Sequence, residues 1–305
     1  MGENMAYKPT MAEIKELRER TGAGIRDCKL ALVSTEGNIE TAIDELRKKG
    51  IAKAAKKSGR AAAEGRIRVA LDGNRGVIVE VNCETDFVGN TDEFSTFVDD
   101  VAKHILSNEP ADIDALNAQS WNDEITVEQA VQEMVIKTGE NIQLRRFVMV
   151  DTENNLFSYV HTGDRLGVIG EYQSSEELED FASDLAMHIV AQRPQYITST
   201  DIPSDILSKE EEIQSERIKA DPKFDGKPEK VLTGALQGRL NKWKKSISLM
   251  DQAWEHDDSG KVSVTKAIKE LGTPVSVVSF HTFELGEGIE KKESNLADEV
   301  ADMMK

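Results

Sequence analysis

Three groups of residues in this chain have types and spacing that invite chemistry. The first is Cys83 with Glu84 and Asp86, a thiol beside two carboxylates. A cysteine nucleophile needs a base to take its proton, and no histidine lies near in sequence. A cysteine at a strand end is ordinarily a small packed apolar side chain, so enzyme chemistry is not expected. The second group is His104 with Asp100 and His188 with Asp184, matching positions that suggest a shared metal site. Duplication of one packing position at the edge of an apolar stripe explains both histidines without a metal, and no tighter ligand cluster accompanies them. No phosphate-binding loop, dinucleotide fingerprint or zinc motif is visible, and no cofactor is expected.

The third group, Thr85-Asp86-Phe87-Val88-Gly89-Asn90, offers the chemistry of contact rather than of bonds. Asp86 and Asn90 tolerate turn geometry and Gly89 permits positive φ, so Phe87 is expected on a turn. A lone Phe there either anchors its own loop to the core or is displayed as a wedge for a partner's pocket. The elements around it bear on that choice.

Those elements come in two copies. Gly76-Val77-Ile78-Val79-Glu80 is matched 91 positions on by Gly167-Val168-Ile169-Gly170-Glu171. Phe94, Phe97, Val98, Val101, Ala102, Ile105 and Leu106 are matched 84 positions on by Leu178, Phe181, Ala182, Leu185, Ala186, Ile189 and Val190. The difference, seven residues, is an insertion that holds Phe87. The helical spacing puts all seven apolar side chains of a copy on one stripe, and the β-branched run before it reads as a strand. Each copy is strand then helix, which predicts an α+β fold of two related core subdomains, each burying a helix face on a small sheet. The second copy does without the insertion, so the fold does not need it. It sits at a strand-to-helix corner, where scaffolds commonly mount function, and Phe87 is read as a wedge.

With 305 residues, 39% of them hydrophobic and 31% charged, the chain suits two or three globular units. A net charge of −18 argues against a surface that binds nucleic acid throughout, because neutralising phosphate takes clustered Lys and Arg. Two cysteines, Cys28 and Cys83, cannot build a disulfide framework. Nothing resembles a signal peptide or a membrane span, so a cytoplasmic location is expected.

Three short helices are predicted over 11–20, 25–33 and 39–48, with Asn38 capping the third and Gly50 closing it. They make a bundle over 8–50, too small for a catalytic body and suited to recognition. The lysine- and arginine-rich stretch 51–65 reads as a linker, either a solvated helical tether or a basic arm for nucleic acid. The first core subdomain is expected over 66–142, opening with a hairpin that turns at Asp72-Gly73-Asn74, and the second over 143–202 and 246–283. Two charged helices over 203–245, broken apart by Pro222 and Pro228, read as an inserted helical hairpin. Its apolar residues Ile213, Ile218, Val231, Leu232, Leu236 and Leu240 suit internal pairing or a homodimer. Residues 284–305 are expected to form a C-terminal module, with an amphipathic helix predicted over 296–304.

At this point the chain resembles the elongation factor Ts family, the guanine-nucleotide exchange factors of elongation factor Tu. The resemblance rests on Arg20-Thr21-Gly22-Ala23-Gly24, Asp27-Cys28-Lys29, the Thr85 to Asn90 loop, Gly139-Glu140-Asn141-Ile142 with Arg145-Arg146, and His161 with Gly167-Val168. It continues through Gly226-Lys227-Pro228, Gly238-Arg239-Leu240 and Gly286-Glu287-Gly288-Ile289-Glu290-Lys291. Most are weak alone, and their order along the chain makes them specific. The resemblance implies that the N-terminal bundle is ubiquitin-associated-like. It implies that Thr85, Asp86, Phe87 and Val88 reach the GTPase domain of elongation factor Tu and help dislodge its Mg²⁺, with Gly89 and Asn90 supporting the loop. Arg20, Gly22, Gly24, His161 and Gly167 are further contact candidates. An adaptor acting through the bundle alone is the alternative, and it leaves the Phe87 loop without a purpose.

Overall fold

Capping residues set the helices of the N-terminal bundle. In the computed structural model, which describes residues 7–290, Thr10 and Glu13 form a reciprocal capping box that opens α1 (Met11–Thr21). Gly22, at φ 65°, closes it in the left-handed conformation that favours glycine. α2 (Ile25–Ser34) and α3 (Ile39–Lys57), the latter capped by Asn38, complete a bundle around Ile14, Leu17, Cys28, Ala31, Leu32 and Leu46. The third helix does not stop at Gly50. It continues to Lys57, so much of the expected linker 51–65 is helix. A Cβ on Gly50 would collide with Ile136, so glycine there permits close packing rather than a helix end.

β1 (Glu64–Asp72) and β2 (Arg75–Cys83) form an antiparallel hairpin, followed by α4 (Asp86–Gly89), α5 (Asp92–Asn108), α6 (Ile113–Ala118), α7 (Val127–Thr138) and β3 (Gln143–Asp151). The first sheet has the order β1-β2-β3. The second subdomain is expected to open at 143, but β3 pairs with β2 and completes the first sheet.

The second unit repeats the plan with β4 (Asn155–Val160), β5 (Leu166–Gln173), α8 (Glu179–Gln192), the long helices α9 (Ser204–Lys219) and α10 (Glu229–Ile247), then α11 (Val264–Glu270) and β6 (Ser276–Glu284), in sheet order β4-β5-β6. α9 and α10 pack together as a hairpin, burying Ile218 and Leu240 and leaving Ile213 and Val231 exposed. The predicted helix over 296–304 lies outside the described residues.

Each unit has its own core. The α5 stripe, all of it buried, covers the first sheet, and α8 covers the second with its stripe buried apart from half-buried Leu178 just before the helix. The two sheets meet through Ile67, Ile78, Val150, Ile169, Phe283 and Leu285. Gly76 and Gly167, the first residues of the repeated strand motif, make that approach possible. A Cβ on Gly76 would come 2.6 Å from Ile169 Cδ1, and one on Gly167 would come 2.8 Å from Ile67 Cγ2. Among the described residues no helix is long and apolar enough to cross a membrane.

Candidate functional site

The inserted stretch is a single helical turn rather than an open loop. Thr85 caps it, its hydroxyl accepting from Val88 N at 3.3 Å, and Gly89 closes the turn. Gly89 lies in the helix instead of at positive φ. An added Cβ would be 3.4 Å from Cys83 Sγ and 3.5 Å from Gly65, ordinary van der Waals contact, so neither φ nor space calls for glycine there. Val88 packs against the first core, whereas Phe87 is 82% exposed. A side chain serving as an anchor for its own loop would be buried, so Phe87 is displayed.

Both ends of the turn are held. At its start, the Glu140 carboxylate accepts from Glu84 N at 3.1 Å, Thr85 N at 3.0 Å and the Thr85 hydroxyl at 2.6 Å. Glu84 answers by accepting from Asn141 N at 2.7 Å, so the segment after α7 and the end of β2 grip each other. At the far end, Arg66 Nε donates to Gly89 O at 2.6 Å. Arg66 is also paired with Asp164, which stands in the turn between β4 and β5 of the second unit. Three backbone and hydroxyl donors on one carboxylate, and a guanidinium bridging a carbonyl and a carboxylate, are charge-assisted bonds of the stronger kind.

The other candidates lie on separate elements. Gly22 lies against the side chain of Lys137, whose ammonium pairs with Glu93 at 3.0 Å in the first turn of α5. The corner between α1 and α2, carrying Arg20, Gly22 and Gly24, is thereby linked to the element that follows Phe87. Arg20 is exposed and bonds Glu40 at 2.7 Å, and exposed Gly24 caps α2 without a side chain. His161 is exposed beside Tyr159, and its carbonyl accepts from Asp164 N at 2.9 Å. Gly167 is buried at the sheet interface and presents no surface of its own.

The remaining chemistry is internal. Burial, with the negative charges of Glu140 and Glu64 next in weight, pushes the Cys83 thiol up to about 12, so it stays protonated and unreactive at neutral pH. His104 Nε2 meets Gln119 Oε1 at 3.0 Å and His188 Nε2 meets Gln252 Oε1 at 3.1 Å. Among the described residues no group of three or more His, Cys, Asp or Glu could hold a metal. Several basic residues from 47 to 60 are engaged within the molecule: Arg47 faces Glu124 and Glu133, Lys49 pairs with Glu45, Lys57 donates to Gly139 O, and Arg60 pairs with Glu84.

Sequence reasoning missed Arg66 and Asp164 as partners of the site, since they are 98 residues apart and meet only when the two sheets pack. It included Glu140 in a motif without a role for it. Arg145 and Arg146 also gain one: they clamp Glu80 at 2.8 and 2.6 Å and tie the turn after β6 to the first sheet through Glu284 O and Glu287. Burial raises the Glu80 carboxyl, but the bonds from Gly286 N, the two arginines and Asn82 outweigh it and hold it below the usual range.

A sequence profile of the family described as Elongation factor TS matches residues 84–287. Elongation factor Ts of Clostridium perfringens (strain SM101 / Type A) is 42% identical over 304 residues, covering 96% of this chain and 98% of that protein. Elongation factor Ts of Lacticaseibacillus casei (strain BL23) is 42% identical over 298 residues, covering 97% of this chain and 98% of its own length.

Proposed function

The chain belongs to the family of elongation factor Ts, a family of translation elongation factors, and from that membership we propose that it binds elongation factor Tu, nucleotide-free or carrying GDP, and promotes release of GDP so that GTP can load. A GTPase holds its nucleotide through backbone donors on the phosphates and through the Mg²⁺ that bridges them. Phe87, with Thr85, Asp86 and Val88, inserts against the GTPase and displaces the elements that hold Mg²⁺ and phosphate. The contacts around the turn supply the binding energy that stabilises the displaced state. No bond is made or broken, and linkage requires that GDP weaken binding of the factor by the same ratio by which the factor weakens binding of GDP.

The observation that carries this reading is Phe87 itself, a large apolar side chain exposed on a turn held at both ends. The test is release of a fluorescent GDP from elongation factor Tu into excess unlabelled GDP, with wild type or Phe87→Ala. Acceleration that the variant loses supports the wedge. Acceleration by both moves the mechanism away from Phe87, and none from folded wild type on a matched elongation factor Tu overturns the exchange activity.

A further inference from the structure

Asp164 belongs to the second unit, yet it reaches the first one three times. Its carbonyl accepts from Ile67 N at 2.8 Å, and its carboxylate pairs with Arg66 and, at 3.0 Å, with Arg68. These three side chains are only 17–20% exposed, so their pairing is screened less than a surface ion pair. Arg68 continues into α5 through Asp99 at 2.6 Å and Ser95 Oγ at 2.9 Å, while Arg66 continues to Gly89 O. One carboxylate thus orients two arginines, one on the end of the turn that displays Phe87 and one on the helix that follows it.

Comparison of the strand registers shows that this arrangement accompanies the inserted turn. Arg66 and Arg68 flank Ile67, which lies opposite Glu80. In the second unit the residue opposite Glu171 is Leu156, flanked by Asn155 and Phe157. The unit without the turn has neither arginine. The skeleton shared by the two sheets therefore does not call for them; Arg66 holds the turn, and Arg68 holds α5.

We infer that Asp164 is a positioning residue for Phe87: acting through Arg66, it fixes the C-terminal end of the wedge turn from the second unit, so the angle at which Phe87 is presented depends on how the two units are docked. This rests on the reading of Phe87 as the wedge. A charged, partly buried bridge suits the task better than an apolar contact, because the guanidinium's planar fork fixes direction as well as distance.

The experiment uses the full chain with Asp164→Ala, Arg66→Lys, Phe87→Ala and the Asp164→Ala/Phe87→Ala pair. Lysine keeps a positive charge for Asp164 but has no fork with which to reach Gly89 O as well. Amide hydrogen exchange over 85–90 reads the positioning directly, and thermal midpoints check that each variant is folded. The expected result is faster exchange in that segment for Asp164→Ala and Arg66→Lys. The maximal rate of stimulated GDP release should fall roughly tenfold, with a half-saturating concentration changed far less. In the Phe87→Ala background, Asp164→Ala should add less than about a twofold further loss, since residues acting through one another are non-additive. Unchanged amide exchange over 85–90, or an equal rate loss from Asp164→Ala in both backgrounds, overturns the inference while Phe87→Ala still reports on the wedge. Unchanged GDP release in Phe87→Ala overturns the wedge reading, and the role of Asp164 in exchange with it.

Discussion

The two units share a skeleton that runs deeper than their matched strands and helices. A bulge follows Glu80 in the first sheet and Glu171 in the second, at the same step of the ladder. Each unit seats a histidine on a glutamine and under a tryptophan, His104 with Gln119 and Trp121 and His188 with Gln252 and Trp254, the ring centroids 5.4 and 5.2 Å apart. They differ in what each carries beyond that skeleton. The first unit carries the Phe87 turn with Arg66 and Arg68, and the second carries the α9–α10 hairpin. The glutamates diverge too: Glu80 is clamped by two arginines, whereas Glu171 accepts from the neutral groups of Thr152, Asn154 and Ser279. What is duplicated packs the fold, and what is not duplicated is where recognition is to be sought.

The largest test of this division is at Phe97 and Phe181, equivalent positions that lie against Trp121 and Trp254 with centroids 5.8 and 6.3 Å apart, the first pair tilted and the second stacked. Truncating either to Ala should cost about 3–5 kcal/mol in denaturant unfolding. If one costs little, the two cores are not equivalent. The next effect contrasts these with Phe87. Phe87→Ala should leave the thermal midpoint nearly unchanged, since that ring is exposed. It should slow stimulated GDP release about tenfold to a hundredfold, the equivalent of burying one Phe in a partner. A drop in stability comparable with Phe97→Ala would make Phe87 an anchor of its own loop.

The apolar stripes were legible because helical spacing and burial obey the same period, and the buried side chains of α5 are those of the pattern. The insertion was legible as an offset between two registers. Other features depended on contacts far apart in sequence. β3 has the alternation of any strand, and only pairing with β2 assigns it to the first sheet. Gly50 carries the mark of a helix end, but tertiary packing against Ile136 carried the helix past it. Gly89 has the composition of a positive-φ turn, yet it ends a helical turn with room for a side chain. Asp164 and Arg66 have nothing in common in sequence, and their link emerged from the docking of two sheets.

A smaller effect should appear with pH. His188 is fully buried, and burial lowers its pKa, with Gln252 and Glu255 opposing less strongly. The folded chain therefore binds the proton more weakly than the unfolded chain, whose imidazole titrates near about 6.5. The neutral ring contributes its full stability above that pH, and the contribution is lost as pH falls from there through the lower folded value. Urea midpoints of wild type should decline between about pH 6.5 and pH 5 more steeply than those of His188→Gln. Parallel declines would show that the buried histidine of the second unit is not what titrates.

The smallest effect is expected where the second unit departs most from the first. The inserted hairpin leaves and rejoins the unit at Tyr196 and Ser248, which bridge each other, and Leu249 N and Met250 N bond Tyr196 O and Ile197 O at 2.8 and 2.9 Å. Its ends are therefore already together, and the hairpin's own burial is confined to Gln214, Ile218 and Leu240. Replacing 203–245 with a short Gly/Ser connection would close a smaller loop over the same neighbours, and closure entropy changes only slowly with loop length. The thermal midpoint should move by no more than about 4 °C, the size expected of roughly 1 kcal/mol in a protein this large. A much larger fall would mean that the hairpin helps form the second core. The two units would then not be one skeleton with different additions, and the absence of a wedge turn from the second would say less about what the turn is for.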